Sequence, residues 1–315
     1  MDACGKRQTR SGFYLKTEKH RMEKLGSFAK ECPATCKALE NIPDYWEPMK
    51  FPQRGDWLDS YNHGYLGYDN FGGKIAGPTR NVIYIQPLVY RKNSAITKTH
   101  LNQLKKWMEA FYMPCKVVIL DTMTDDKIQG LGIGTQKNWF NDTQYNAIGI
   151  LQKFVGPIQR AHSDALGVVC LTDVDLFTKD LSNFCFGYGN GNGGVHSIHR
   201  FMPKWTEEEY DTDEEFQSRT LMRIVQLATH EFGHMLGLGH CTLYQCLMMG
   251  INHLEQSDRS PVYFCPACYR KIWKCLKFDH VARYDALQKI CQQFGGVFTE
   301  SHEYQFEEMS PFEWF

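Results

Sequence analysis

HEFGHMLGLGHC, residues His230 to Cys241, is the stretch that decides how this chain of 315 residues is read. Leading into it, Leu221, Ile224, Val225, Ala228, Phe232, Met235 and Leu236 recur at the spacing of one helix face. At ~100° per residue that stripe centres near Leu221, so His230 and His234, one turn apart, point together on the opposite side. Gly237 can adopt a left-handed conformation and stop the helix, which lets His240 return from a new direction. His-Glu-x-x-His-x-x-Gly-x-x-His is the ligand pattern of a catalytic zinc, with three protein nitrogens and one position open for water. The candidate zinc ligands are therefore His230, His234 and His240. Glu231, between two of them, is the candidate catalytic base. It would take a proton from zinc-bound water, whose pKa the metal lowers toward ~7, and pass it to the leaving amine of a peptide. Two surface histidines, with Glu231 in a helix salt bridge to Arg223, form the competing structural reading. That reading leaves Gly237 and His240 unexplained.

Directly downstream, Cys241-x4-Cys246-x18-Cys265-x2-Cys268 offers four thiolates at spacings suited to a closed tetrahedral zinc. The chain has 12 cysteines, and without a secretory signal they are expected to be thiols or metal ligands rather than disulfides. Two disulfides or four free thiols remain the alternatives. Two zinc ions per chain are expected, one catalytic and one structural, joined through the His240–Cys241 peptide. Cys115 and Cys170 lie in apolar runs and read as small buried hydrophobes. Cys32 and Cys36 could clip a metal with His20, though no fourth ligand stands out.

Working outward, NVIYIQPLVY (81–90), KVVIL (116–120) and ALGVVCLTDVDL (165–176) read as strands, and THLNQLKKWMEAFY (99–112) as an amphipathic helix. Strand, helix, strand in that order suggests a partly parallel sheet. Residues 183–201 read as a strand, a glycine-rich turn and another strand. The acidic run 207–215 places its last acids at the positive start of the next helix. FDHVARYDALQKICQQF (278–294) reads as a further amphipathic helix.

Lys and Arg number 35 against 36 Asp and Glu, and 43% of residues are hydrophobic, enough for an ordinary core. Balanced charge removes the broad electrostatic case for nucleic-acid or membrane-surface binding. No apolar run approaches the ~18 residues of a membrane span, and the basic N-terminus has no apolar stretch behind it. A soluble, intracellular protein is expected, cytoplasmic with a nuclear location also allowed, not secreted, and acting as a monomer.

The run HEFGHMLGLGHCTLYQCLMMG…CPAC resembles the signature of the archaemetzincins, zinc metallopeptidases of the metzincin clan. The extended histidine motif is that of the clan; cysteines immediately after the third histidine narrow it to this family. The resemblance implies an α+β, zincin-like fold: a mixed twisted sheet with helices, an active-site helix, and a smaller zinc-stabilised lower subdomain. On that frame, residues 1–78 would be a partly irregular N-terminal extension and 79–240 the upper catalytic subdomain. Residues 241–294 would be the lower subdomain, and 295–315 an acidic, aromatic tail. The resemblance also marks Met248 as the Met-turn residue, an apolar floor under the histidines. It implies an edge strand lining the substrate cleft, here assigned to GVHSIHRF (194–201), with His196 or His199 touching substrate. The substrate would be a peptide or an unfolded protein segment. A catalytically silent, zinc-stabilised binding module is the alternative function.

Overall fold

The computed structural model describes residues 9–26, 46–62, 64–89, 94–124, 128–178, 182–202, 205, 210–295 and 298. The Cys32–Cys36 pair and the tail beyond Phe298 lie outside the described residues. Helices follow in the order α1 Glu18–Leu25, α2 Trp57–Ser60, α3 Lys98–Phe111, α4 Ala147–Ala161, α5 Asp213–Met235, α6 Leu254–Asp258, α7 Pro266–Leu276 and α8 His280–Phe294. The strands are β1 Val82–Val89, β2 Lys116–Ile119, β3 Met123–Thr124, β4 Thr135–Lys137, β5 Thr143–Asn146, β6 Ala165–Thr172, β7 Asp175–Thr178, β8 Ser182–Cys185, β9 Gly187–Asn190 and β10 Gly193–Ser197. Two compact units are present: Lys74–Leu236 with the described residues after Cys275, and Gly237–Cys275 with the described residues up to Gly73.

In the larger unit, one sheet has the order β2-β1-β6-β10-β9, with β3 also pairing β1. β1 runs parallel to β2, β3 and β6, and β10 parallel to β6; only β9 is antiparallel. Every residue of β6 is buried, as the unbroken apolar pattern of a parallel strand covered on both faces requires. A second sheet, β4-β5-β7-β8, is also mixed, with β5 parallel to β7. Thr97 caps α3, and Leu101, Leu104, Trp107, Met108 and Phe111 bury one face of it. α4 comprises Ala147–Ile150, a π turn at Leu151–Val155 and Gly156–Ala161; the π turn breaks the 3.6-residue period and hides the helix from pattern reading.

The run 165–176, expected as one strand, is two strands in two different sheets. It breaks at Asp173–Val174, where the Val174 amide turns back onto the Thr172 hydroxyl and the Ser197 hydroxyl donates to the Val174 carbonyl. The strand expected over 194–201 ends at Ser197, and His199–Phe201 form a 3-10 turn. β10 is moreover an interior strand, with β6 on one side and β9 on the other. The edge belongs to β9.

Domain bounds differ from the expectation as well. α8 falls within the span expected for the lower subdomain, but it packs on α3 in the larger unit, where Arg283 Nε donates to the Phe111 carbonyl at 2.9 Å. The N-terminal region is no extension where it is described. Trp46, Met49, Trp57, Leu58, Tyr65 and Phe71 are core residues of the smaller unit. Met49 N–H donates to the Leu243 carbonyl, Gln245 N–H donates to the Glu47 carbonyl, and the Trp46 and Tyr263 rings meet edge to face. Pairings at this sequence distance leave no periodicity to read.

Candidate metal centres and active site

α5 begins with Thr212, whose hydroxyl accepts the Glu215 N–H at 3.1 Å, and carries Asp213, Glu214 and Glu215 in its first turn. Acids at that end complement the helix dipole, as expected. Leu221, Ile224, Val225, Ala228 and Phe232 form the anticipated apolar stripe. The opposite side is not a solvent face, however: Arg223, Gln226, Thr229 and His230 are buried too. Arg223 donates to the Phe201 carbonyl and the Tyr210 hydroxyl, in the chain before α5. Tyr112 locks the helix from α3's C-terminal end by donating to the Thr229 carbonyl at 2.5 Å.

The two helix histidines converge, with His230 Nε2 and His234 Nε2 2.9 Å apart and their rings 83° from coplanar. α5 stops at Met235, and Gly237 takes φ +100°, the left-handed turn its place in the motif predicts. A Cβ there would stand 3.3 Å from the Gly73 Cα, so glycine serves both conformation and space. Within the contiguous segment 230–240, ligand nitrogens of His230, His234 and His240 lie within 4.8 Å of one another. Three imidazoles converging this closely match the donor set of a catalytic zinc. The His240 ring packs edge-on against Trp57, with centroids 4.5 Å apart. Trp57 in turn fills the space that Gly250 leaves open, because a Cβ at Gly250 would fall 2.2 Å from its ring. Trp57 was not anticipated, since no local spacing links it to His240.

Glu231 lies between the two candidate ligand histidines of α5 in sequence, with 19% of its side chain exposed. His196 and His199, expected on the substrate side, are both buried. His199 Nδ1 meets the Asp173 carbonyl at 3.1 Å, and its ring packs on Trp205. The His196 ring is fully enclosed, its Nδ1 3.9 Å from Glu231 Oε2, and burial lowers its pKa. Neither imidazole is placed to touch a peptide. The reason is the interior position of β10 and the end of the strand at Ser197.

The four cysteines of the smaller unit are brought together. The Sγ atoms of Cys241, Cys246, Cys265 and Cys268 lie within 4.8 Å of one another, all are buried, and none is in a disulfide. Cys241 and Cys265 sulfurs are 3.7 Å apart. Two zinc–sulfur bonds of ~2.3 Å at a tetrahedral angle would separate them by ~3.8 Å. Amide N–H groups of Met248 and Cys265 point at Cys246 Sγ at 3.4 and 3.2 Å, and Tyr65 Oη lies 3.3 Å from Cys268 Sγ. Burial pushes the Cys246 and Cys265 thiols well above the usual range. In Cys241 it is outweighed by hydrogen bonds from the other three cysteines, which hold that thiol well below. Four sulfurs this close ionise together only around a cation. Met248 is fully buried, and its carbonyl accepts the Cys241 N–H at 2.6 Å, pinning the residue that follows His240.

The chain is similar to known proteins along most of its length. Residues 134–274 match peptidase family M54. Archaemetzincin-2 of Rattus norvegicus is 30% identical over 307 residues, covering 85% of this chain and 82% of the relative. Archaemetzincin-2 of Homo sapiens is 28% identical over 278 residues, with 80% of this chain and 76% of the relative covered. The solved archaemetzincin of Archaeoglobus fulgidus, complexed with malonate, is 27% identical and covers 60% of this chain and 99% of its own, at a TM-score of 0.44. With a relative this similar over most of both lengths, and with the histidine and cysteine groups assembled, the chain belongs to the archaemetzincins, the zinc metallopeptidases of peptidase family M54.

Proposed function

We propose that the chain hydrolyses peptide bonds with Glu231 as general base beside a zinc held by His230, His234 and His240, and that a second, structural zinc is held by Cys241, Cys246, Cys265 and Cys268. The observation that carries the reading is the convergence of three imidazole nitrogens within 4.8 Å, with Glu231 between two of the histidines in sequence. Bound there, zinc would supply Lewis acidity, lowering the pKa of a water toward ~7 and polarising a substrate carbonyl. The Glu231 carboxylate takes the proton of the attacking water and delivers it to the departing amine. The aromatic face of Trp57 fixes the His240 ring, and the left-handed Gly237 sets the angle at which that ring returns. Met248, fully buried in the turn whose carbonyl holds Cys241, suits an apolar floor for the histidines. A substrate peptide would lie along β9, the antiparallel edge strand, by main-chain pairing. The intact His230, Glu231, His234 and His240 set also lacks the loss by which a silent binding module would be recognised.

The test is Glu231→Gln. Peptide turnover is expected to fall ~100-fold or more, the scale of a lost general base, with zinc content and fold retained. Unchanged turnover would refute the mechanism.

A further inference from the structure

We infer that His196 is a positioning residue for Glu231, fixing the carboxylate by a hydrogen bond from its imidazole. The inference rests on the reading of Glu231 as the base. Three observations carry it. The His196 ring has no solvent exposure, and among the described residues neither of its nitrogens has a hydrogen-bond partner. Buried polar atoms are nearly always paired, so a fully enclosed imidazole with two free nitrogens requires an explanation. Its Nδ1 already faces Glu231 Oε2 at 3.9 Å, and a small torsional change in either side chain brings the pair to the ~2.8–3.2 Å of a hydrogen bond.

The strands reserve space for this ring. In the β9–β10 register His196 lies opposite Gly187, and Gly194 precedes it by two on the same strand face. A Cβ on Gly187 would stand 2.5 Å from Nδ1, and one on Gly194 2.5 Å from Nε2. Any other residue at either place would push the imidazole aside. Enclosure also rules out contact between His196 and substrate, so its effect on the reaction passes through Glu231. With one carboxylate oxygen tethered to Nδ1–H, the other is held for the water proton. Orientation of this kind acts on the chemical step and leaves ground-state binding alone.

The experiment compares His196→Leu, which fills the slot without a donor, with His196→Gln, which keeps an N–H donor. Zinc content, thermal unfolding, kcat and KM are measured for each. His196→Leu is expected to lower kcat ~10-fold or more while KM stays within ~2-fold and zinc is retained, and His196→Gln to recover part of the loss. An unchanged kcat in His196→Leu, a rise in KM alone, or equal losses in both variants would overturn the proposal. A measurement on the unsubstituted protein covers the case in which the variants fail to fold. Proton NMR of the folded chain should contain a slowly exchanging, downfield imidazole N–H of His196, and Glu231→Gln should shift it. A His196 N–H that exchanges with solvent at once, or ignores Glu231→Gln, overturns the inference. The two readings fail separately: if Glu231→Gln keeps full turnover, the base assignment falls. If it loses turnover while His196→Leu does not, only the positioning role falls.

Discussion

Gly237 is where a single residue decides the geometry of the candidate centre. Its φ of +100° is one that residues with a Cβ rarely adopt, and the Gly73 Cα would meet an added methyl at 3.3 Å. Gly237→Ala is therefore expected to cost about 1–2 kcal/mol in backbone strain alone and to lower zinc occupancy by displacing His240. Denaturant midpoints and elemental analysis of the variant check both. Four cysteines outside the metal group, Cys115, Cys170 and Cys291 buried and Cys185 half-buried, make a second prediction at this scale. Burial pushes the thiols of Cys115, Cys185 and Cys291 up to about 12, and that of Cys170 higher still. Against ~8.5 in an unfolded chain, these groups stay protonated in the folded protein. Alkylation at pH 8 followed by peptide mapping should leave them unmodified until the protein unfolds. Because the folded values are raised, their contribution to stability is fully present below ~8.5 and is lost as pH climbs from there toward 12.

At the scale of elements, α5 is the component whose integrity the proposed chemistry needs. Its first turn is held by the Thr212 cap and three acids, and its far end by Tyr112 on the Thr229 carbonyl. Thr212→Ala is expected to destabilise the larger unit by about 1 kcal/mol without changing zinc content, because the cap lies several turns from His230. Equilibrium unfolding beside a metal assay separates those effects. The apolar stripe of α5 was readable because it repeats at the helix period. That its other side is also buried was not, since Arg223 and Gln226 are polar and find their partners in the folded chain. The same limit explains the misplaced edge strand. A strand after the glycine-rich turn is readable in 183–201, but pairing with β9, a segment rich in glycine, makes β10 an interior one.

For the whole molecule, the smaller unit joins two distant parts of the sequence around four thiols. Structural zinc sites contribute folding energy of order 10 kcal/mol, so Cys265→Ser should unfold that unit selectively. Hydrogen exchange read by mass spectrometry should lose protection over Gly237–Cys275 and over 46–73, while β1, β6 and β10 keep theirs. Loss of protection in the sheet as well, or in 237–275 without 46–73, would contradict this partition. A brief exposure to a small chelator should by contrast remove one zinc, abolish hydrolysis and leave the fold, because three neutral imidazoles hold an open site more weakly than four buried thiolates.

What the sequence by itself determined lies within short range. His230, Glu231, His234, Gly237 and His240 fall within three helical turns and one reversal, and the cysteines declare themselves by chemistry and spacing. The strands β1, β2 and β6 follow from short apolar runs, and the helices α3 and α8 from the helical period of their apolar residues. Tertiary structure alone decided what packs on these groups: Trp57 on His240, Tyr65 on Cys268, Arg283 on Phe111, and His196 beside Glu231. Each of those contacts joins residues far apart in the chain. Such pairs impose no period on the sequence, and they are selected by the space and the unpaired polar atoms that exist only once the elements have packed.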